Sequence, residues 1–450
     1  MKIKFLETTR YLDKGRLLKS RYLYYPSLTF PLLAALTPPE HDVSITYEMF
    51  DDIDFEEKSD IVGITSITSN VYRAYEVADE FRRRGMYVVM GGIHASMEPE
   101  EAAEHADTIV SGEAEETWPR FLKDFQEGVP GKFYKAERPS PLENLPVPRW
   151  DLVDQSRYLS HAALVRAKRP PAYAMQTSRG CCYSCDYCST KRFQGTTGFR
   201  PRPIADVLNE IKALGAKNVF FMDDNIFSDP GHAKDLFRAL IPLKIHWGGQ
   251  GVIAAAEDEE MIGLARKSGC AFVVAGLESI TPAVLEAMGK KDNKVGSYEK
   301  NLRTFRRSGI DVDVSMMFGF DEDEPDVFDK TRRFLIRNKA PYVSWLPLTP
   351  FPGTAFYYRL KRQGRLKHEK WWLTLRPEAE KKIYRLLYHG AKMSDEEFLE
   401  AFYRNYRRFY SLGSIARRLL WPPKIRNIVT IAINLSIRRK ISTQATVVEH

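Results

Sequence analysis

The sequence has no apolar run near the roughly 20 residues a membrane-spanning helix needs. Its first residues, Met1-Lys-Ile-Lys-Phe-Leu-Glu7, lack the uncharged apolar core of a secretory leader. Only five cysteines occur among 450 residues, and Cys181, Cys182, Cys185 and Cys188 share one short loop. Cysteines so placed cannot form a disulfide framework, and a reducing, cytoplasmic setting is expected. No second Cys or His pair accompanies Cys185 and Cys188 at zinc-site spacing. No G-x-G-x-x-G fingerprint occurs, which argues against a nicotinamide cofactor. Acid is scarce at one end: residues 356–450 hold 21 Lys and Arg against 8 Asp and Glu, and residues 411–440 hold no acid at all. The net charge of +8 therefore belongs to the tail, and no nucleic-acid partner is expected.

What is present centres on Ser178-Arg-Gly-Cys-Cys-Tyr-Ser-Cys-Asp-Tyr-Cys-Ser189, where Cys181, Cys185 and Cys188 are spaced C-x3-C-x2-C. Spacings this short put three soft thiolate ligands on one turn, the arrangement for an iron-sulfur cubane. A complete cluster takes four protein ligands, so three leave one iron open for chemistry. An electron-transfer ferredoxin would need the fourth. Cys182 is expected to point away from the shared corner. Cys270, beside Phe272, Val273 and Val274, is expected in the core.

Residues 1–128 alternate short apolar runs with helical periodicities, the pattern of a doubly wound parallel sheet. Strands are expected at 2–6, 43–47, 60–65, 87–90 and 108–110. The spacing of Val71, Ala74, Ala78 and Phe81 predicts a helix between the third and fourth. In such sheets ligands gather at strand carboxyl ends. Those ends carry Thr65, Ser66 and Thr68, then Gly91, Gly92 and His94, then Gly112 and Glu113. Small residues and hydroxyls at three successive strand ends admit a large polar-edged ligand. Residues 129–171 are Pro-rich and read as a linker.

From 172 to 355 strand, loop and helix recur six times, predicting an incomplete parallel barrel with its site at strand carboxyl ends. The cysteine loop follows the first strand. The second delivers Asp223, which either reaches a ligand at the strand end or caps its own turn.

The three-cysteine loop, with the aromatic Tyr187 before Cys188, and the six-unit barrel resemble the radical S-adenosylmethionine (SAM) enzymes. The N-terminal domain resembles the cobalamin-binding domain that precedes the barrel in one branch of that family, the class B type radical SAM methyltransferases. The resemblance implies a 4Fe-4S cluster on Cys181, Cys185 and Cys188 whose open iron chelates SAM. It also implies SAM contacts at Tyr187, Glu278 and Ser279 of Gly276-Leu-Glu-Ser279, and Pro352 and Gly353 of the Pro-Gly turn. Cobalamin is expected at Thr65, Ser66, Thr68, Gly91, Gly92, His94, Gly112 and Glu113. The Asp-x-His-x-x-Gly loop through which many cobalamin domains ligate cobalt is absent, as is common in this branch.

The expected activity is methylation of an unactivated carbon of an apolar small molecule. A 5'-deoxyadenosyl radical takes the hydrogen, methylcobalamin gives the methyl, and a flavodoxin or ferredoxin supplies electrons; no catalytic side chain is singled out. Two alternatives stand beside it: a non-methylating radical SAM enzyme with cobalamin bound or a degenerate first domain, and an iron-sulfur carrier or sensor.

Residues 356–450 are expected to form a helical basic extension, with Phe398, Phe402, Tyr406 and Phe409 on one packed face. Its run Ile428–Ile437 is bracketed by Arg417, Arg418, Lys424, Arg426, Arg438, Arg439 and Lys440, with Asn427, Thr430 and Asn434 as a narrow polar stripe. A helix of this kind either docks on the barrel or lies on the inner face of a membrane.

Overall fold

The computed structural model describes residues 1–13, 15–21, 23, 25–158, 172–193, 198–290, 293–376, 385–420 and 427–442. Lys424, Arg426 and the last thirteen residues of the expected linker lie outside the described residues. The chain divides into two compact units: Met1–Tyr158 with Cys188–Gly198 and Phe351–Lys381, and Leu159–Tyr187 with Phe199–Pro350 and Lys382–His450.

The first unit is built on a six-stranded parallel sheet of β1 (Lys2–Glu7), β2 (Asp42–Tyr47), β3 (Ile61–Thr65), β4 (Tyr87–Gly91), β5 (Thr108–Ser111) and β6 (Phe133–Lys135). Their spatial order is β2-β1-β3-β4-β5-β6. The chain reverses direction across the sheet between β1 and β3. That is the switch point where parallel sheets open a ligand crevice at their carboxyl ends.

The strands run apolar along most of their length because helices cover the sheet. Ile3, Phe5, Val62, Ile64, Val88, Met90 and Ile109 are all buried. Phe5 lies opposite Gly63, where a Cβ would sit 2.8 Å from its ring, so a side chain there would displace the phenylalanine.

Helices α1 (Thr29–Leu36), α2 (Val71–Arg83), α3 (Gly92–Met97), α4 (Pro99–His105) and α5 (Thr117–Gln126) connect or follow the strands. Val71, Ala74, Ala78 and Phe81 of α2 are buried as their spacing predicts. Pro99 starts α4, where its missing N–H costs nothing.

Two segments differ from the expected division. Phe133–Lys135 of the expected linker is an edge strand, and Leu142 and Trp150 further along are buried. A three-residue strand is too short to show a period. Residues 351–381 belong to the first unit, where Trp371 and Trp372 are buried.

The second unit holds β7 (Ala172–Met175), β8 (Asn218–Phe221), β9 (His246–Val252), β10 (Cys270–Glu278), β11 (Asp311–Phe318) and β12 (Tyr342–Pro347). They pair in chain order and all parallel. Helices α6 (Ile204–Ala213), α7 (Pro230–Leu240), α8 (Glu259–Lys267), α9 (Tyr298–Ser308) and α10 (Val327–Arg337) return the chain between strands. This is the expected six-unit partial barrel. β11 alternates buried Val312, Val314, Met316 and Phe318 with half-buried Asp311, Asp313, Ser315 and Met317.

Three further helices close the chain: α11 (Asp395–Phe409), α12 (Leu412–Leu419) and α13 (Asn427–Ser442). A capping box from Ser394 and Glu397 starts α11. Its Phe398, Phe402, Tyr406 and Phe409 are buried, and Phe402 packs edge-on to Trp345 of β12 and Phe328 of α10.

Candidate functional site

In the second unit the entrance to the cysteine loop is pinned by two adjacent carboxylates beyond β8. Asp223, wholly buried, accepts from the Thr177 backbone N–H at 2.8 Å, from the Ser178 hydroxyl at 2.6 Å, and from the Thr177 hydroxyl. Burial pushes its carboxyl up to about 6, against the pull of these donors. Asp224 accepts from the Gly180 N–H at 2.9 Å. Every oxygen of Asp223 is thus spent inside the protein. Of its two expected roles the turn-holding one is seen here. Asn225, two residues on, keeps a buried Nδ2 with no partner at this strand end.

None of the thiols that follow is in a disulfide; Cys181 and Cys185 are half-buried and Cys182 and Cys188 exposed. The neighbouring Cys181 lowers the Cys182 thiol to about 6, and Cys182 in turn raises that of Cys181. Among the described residues no three Cys, His, Asp or Glu side chains already converge as a metal site. The donor set suits a cluster: three accessible or half-buried soft ligands on one short, anchored loop. Cys270 is fully buried.

At the end of β10 the register shifts and Glu278 takes a left-handed backbone conformation, φ 64°. Non-glycine residues adopt it when the surroundings enforce it. Here Asn293 Nδ2 donates to the Gly276 and Leu277 carbonyls at 3.0 and 3.1 Å, and the Tyr298 hydroxyl to Leu277 O at 2.8 Å. The Glu278 carboxylate pairs with the buried ammonium of Lys290. Burial disfavours that charge, yet Glu278, with smaller help from Cys185 and Cys181, holds the Lys290 pKa above its ordinary value. The Lys290 turn lies on the cysteine loop, Asp186 N–H donating to Met288 O at 3.4 Å. Nothing in the sequence distinguished Lys290 from its neighbour Lys291. Ser279 is buried and its hydroxyl accepts from Thr281 N–H at 3.0 Å. Tyr187 is half-buried.

In the first unit two hydroxyls just past the carboxyl ends of β1 and β3, Thr8 Oγ1 and Ser66 Oγ, are buried without partners. Asn70 ties these loops together, donating to Thr8 O at 2.7 Å and accepting from Ile67 N–H at 2.9 Å. Ile67 between them is half exposed, at 50 %. Unpartnered hydroxyls beside an exposed apolar side chain suit the edge of a large amide-bearing ligand such as cobalamin. Thr8 escaped notice in the sequence; its signal is its position just past β1. Gly92 has φ +91°, and a Cβ there would lie 2.4 Å from Thr65 Oγ1, so only glycine brings the β3 and β4 ends together. Gly91 precedes it in extended conformation, and Gly112 (φ +78°) donates its N–H to Ser96 Oγ at 2.8 Å.

Three of the expected cobalamin contacts, His94, Thr68 and Glu113, have partners inside the protein. His94 is fully buried, its Nδ1 at 3.2 Å from Thr68 Oγ1 and its Nε2 at 3.3 Å from Glu101 Oε1, so neither His94 nor the Thr68 hydroxyl faces outward unpartnered. Glu113 is buried and accepts from Ser140 N–H at 2.7 Å. Glu101 gathers more donors: Tyr75 OH at 2.9 Å, Trp372 Nε1 at 2.8 Å and the Lys370 ammonium at 2.9 Å. Burial favours its protonated form, but these partners outweigh it and hold Glu101 down at about 2. Burial lowers the His94 pKa and keeps the ring neutral. In the barrel-to-tail turn, Pro352 is buried and Gly353, at φ 80°, precedes the Thr354 cap of the helix Ala355–Arg362.

A doubly wound sheet with its switch point between β1 and β3, and a six-unit barrel carrying three thiols after its first strand, define a radical SAM enzyme with a cobalamin domain. Residues 175–335 match the Radical SAM superfamily, and residues 36–122 match the B12 binding domain. The bacteriochlorophyllide d C-8(2)-methyltransferase of Chlorobaculum tepidum is 30% identical over 92% of this chain and 91% of its own. The C-12(1)-methyltransferase of the same organism is 29% identical over 88% and 85%. Among solved structures, the radical SAM methyltransferase TsrM of Kitasatospora setae, with cobalamin and a 4Fe-4S cluster bound, superposes with a TM-score of 0.61. It is 21% identical and covers 80% of this chain and 78% of its own, a likeness of fold.

The chain belongs to the cobalamin-dependent radical SAM methyltransferase family. It is an enzyme, and its cofactors are a 4Fe-4S cluster, SAM and cobalamin. The carrier or sensor reading falls away. Among the described residues no helix is long and apolar enough to cross a membrane.

Proposed function

We propose that the protein methylates an unactivated carbon of an apolar small molecule, in the first instance a side chain of a macrocyclic tetrapyrrole. The observation that carries this reading is the near full-length likeness to two bacteriochlorophyllide methyltransferases, one at 30% identity. When bound, the cofactors supply hydrogen abstraction through a 5'-deoxyadenosyl radical and a methyl group for the resulting carbon radical.

The chain's share is to hold and shield them. Cys181, Cys185 and Cys188 ligate the cluster. Asp223 and Asp224 fix the entrance of their loop, and Lys290 sets a buried positive charge beside it. Glu278, paired with Lys290, and Ser279 shape the turn on which SAM rests, with Tyr187 as a further contact. Ser66 and Thr8 receive the corrin edge, with Thr65, Gly91, Gly92 and Gly112 allowing its approach. A flavodoxin or ferredoxin delivers the electron. The enzyme works on the inner side of a membrane, to which its tail attaches.

The test is anaerobic turnover with methyl-labelled SAM and candidate tetrapyrroles, read by product mass. A product of altered mass without the label would favour the non-methylating alternative, a ring closure or rearrangement.

A further inference from the structure

Helix α13 is docked with its polarity reversed. Thr430 and Asn434, one turn apart, are 2% and 0% exposed and face the protein. Asn434 Nδ2 donates to Pro341 O at 3.1 Å and its Oδ1 accepts from Arg418 Nη2 at 2.9 Å; the Thr430 hydroxyl donates to Asp311 Oδ2 at 3.3 Å. Arg418 is itself buried. It donates to the carbonyls of Ala340, Pro341 and Phe409 and lies 3.9 Å from the centre of the Phe409 ring. The expectation that Arg418 adds surface charge is thereby corrected, and the polar stripe is the inner face of the helix.

Part of the apolar set points outward, while Ile441 is buried. Ile428 and Leu435, two turns apart, are 65% and 41% exposed, with exposed Ala432 between them. On the adjoining α12 segment Leu412 and Leu420 are 59% and 52% exposed. These are four of the ten large apolar side chains exposed among the described residues, gathered within 24 positions. A helix docked only to complete a core turns such residues inward, and a gathered exposed set marks an interaction surface.

We infer that the outer face of α12 and α13 is a docking surface for a bilayer rich in anionic lipid, lying in its interface. The charge selects this occupant. Residues 411–440 carry no acid, while Arg417 and Arg439 are exposed on the same two helices. Anionic headgroups complement such a face, whereas a second copy of the chain would set cation against cation. The polar anchors lie at the amino ends of β11 and β12, since Asp311 begins β11 and Pro341 precedes β12. The cysteine loop and the Glu278 turn follow the carboxyl ends. The surface is therefore a tether remote from the reacting end of the barrel, and lipid binding and turnover are separable. The inference rests on the proposed function only for the membrane setting of an apolar substrate.

The experiment is co-flotation of full-length holoprotein with phosphatidylcholine vesicles, with and without phosphatidylglycerol. The Ile428→Gln/Leu435→Gln double variant, altered only on the exposed face, runs in parallel. Flotation with the anionic vesicles, weakened roughly tenfold or more in the variant at unchanged cluster and cobalamin content, is the expected result. Absence of flotation overturns the inference, as does equal flotation on pure phosphatidylcholine. So does a dimer seen by light scattering that the variant abolishes without any lipid binding. Methyl transfer to a substrate presented in detergent reports on the proposed function separately and should be unchanged in the variant.

Discussion

The Lys290 ammonium is buried against the Glu278 carboxylate, twelve residues back, in a turn that rests on the cysteine loop. A buried pair of this kind is costly to break from one side, by about 3–5 kcal/mol, because the remaining charge has no water. Lys290→Met should therefore destabilise the barrel more than the double change Lys290→Met/Glu278→Leu. Lys290 also adds a positive charge near Cys181 and Cys185, which favours the more negative, reduced cluster. A nearby unit charge at an effective dielectric near 20 is worth on the order of 1 kcal/mol. In the double variant both charges go, so the clean comparison is Lys290→Met against wild type by EPR-monitored redox titration, with a lowered midpoint expected. An unchanged midpoint would separate Lys290 from the cluster.

Replacing Cys181, Cys185 or Cys188 by Ala should abolish cluster reconstitution, read as iron and sulfide content and the visible spectrum. Cys182→Ala should retain it. Cys182 adjoins Cys181 in the chain, which makes this a sharp comparison. A Cys182 requirement equal to that of the other three would make the cluster four-cysteine and close the iron meant for SAM.

Cobalamin binding should depend on the switch-point hydroxyls rather than on the buried histidine. Ser66→Leu is expected to weaken hydroxocobalamin binding by tenfold or more, since it fills the crevice and removes a donor; equilibrium dialysis measures it. Bound cobalamin should show base-off spectra, no His-bearing loop being present to ligate cobalt from below. Wild-type affinity in Ser66→Leu would move the ligand elsewhere on the sheet.

Glu101 makes the first unit acid-sensitive. Its folded carboxyl is held at about 2, below the ordinary 4.5, so the folded state binds fewer protons than the unfolded chain across that range. The stabilisation is complete above about pH 4.5 and is lost as pH falls toward 2, on the order of 3 kcal/mol in all. Denaturant melts of Glu101→Gln should show lower stability at neutral pH and a flatter decline between pH 4.5 and 2. An undiminished acid slope would assign the sensitivity to other groups.

Both sheets were legible because long apolar strands and amphipathic helices announce themselves by period, as in Val312–Phe318 and Val71–Phe81. The three thiols were legible by spacing. What escaped was tertiary. Asp223 and His94 sit at strand ends where ligand contacts are expected, but whether a side chain there turns outward or inward depends on partners such as Thr177 and Glu101, distant in sequence. Lys290 and Thr8 gain significance only when the fold brings them beside the cysteine loop and the switch point. In α13 the stripe of Thr430 and Asn434 was visible, but only the placement of Arg418, Asp311 and Pro341 decides that the polar side is the inner one.

The central claim is transfer of an intact methyl group to carbon. Reconstituted protein, cobalamin, a low-potential reductant and SAM bearing a trideuterated methyl should convert an acceptor tetrapyrrole into a product heavier by one labelled methyl, with 5'-deoxyadenosine formed alongside. Formation of 5'-deoxyadenosine with a product that carries no label, across tetrapyrrole and other apolar acceptors, would contradict it.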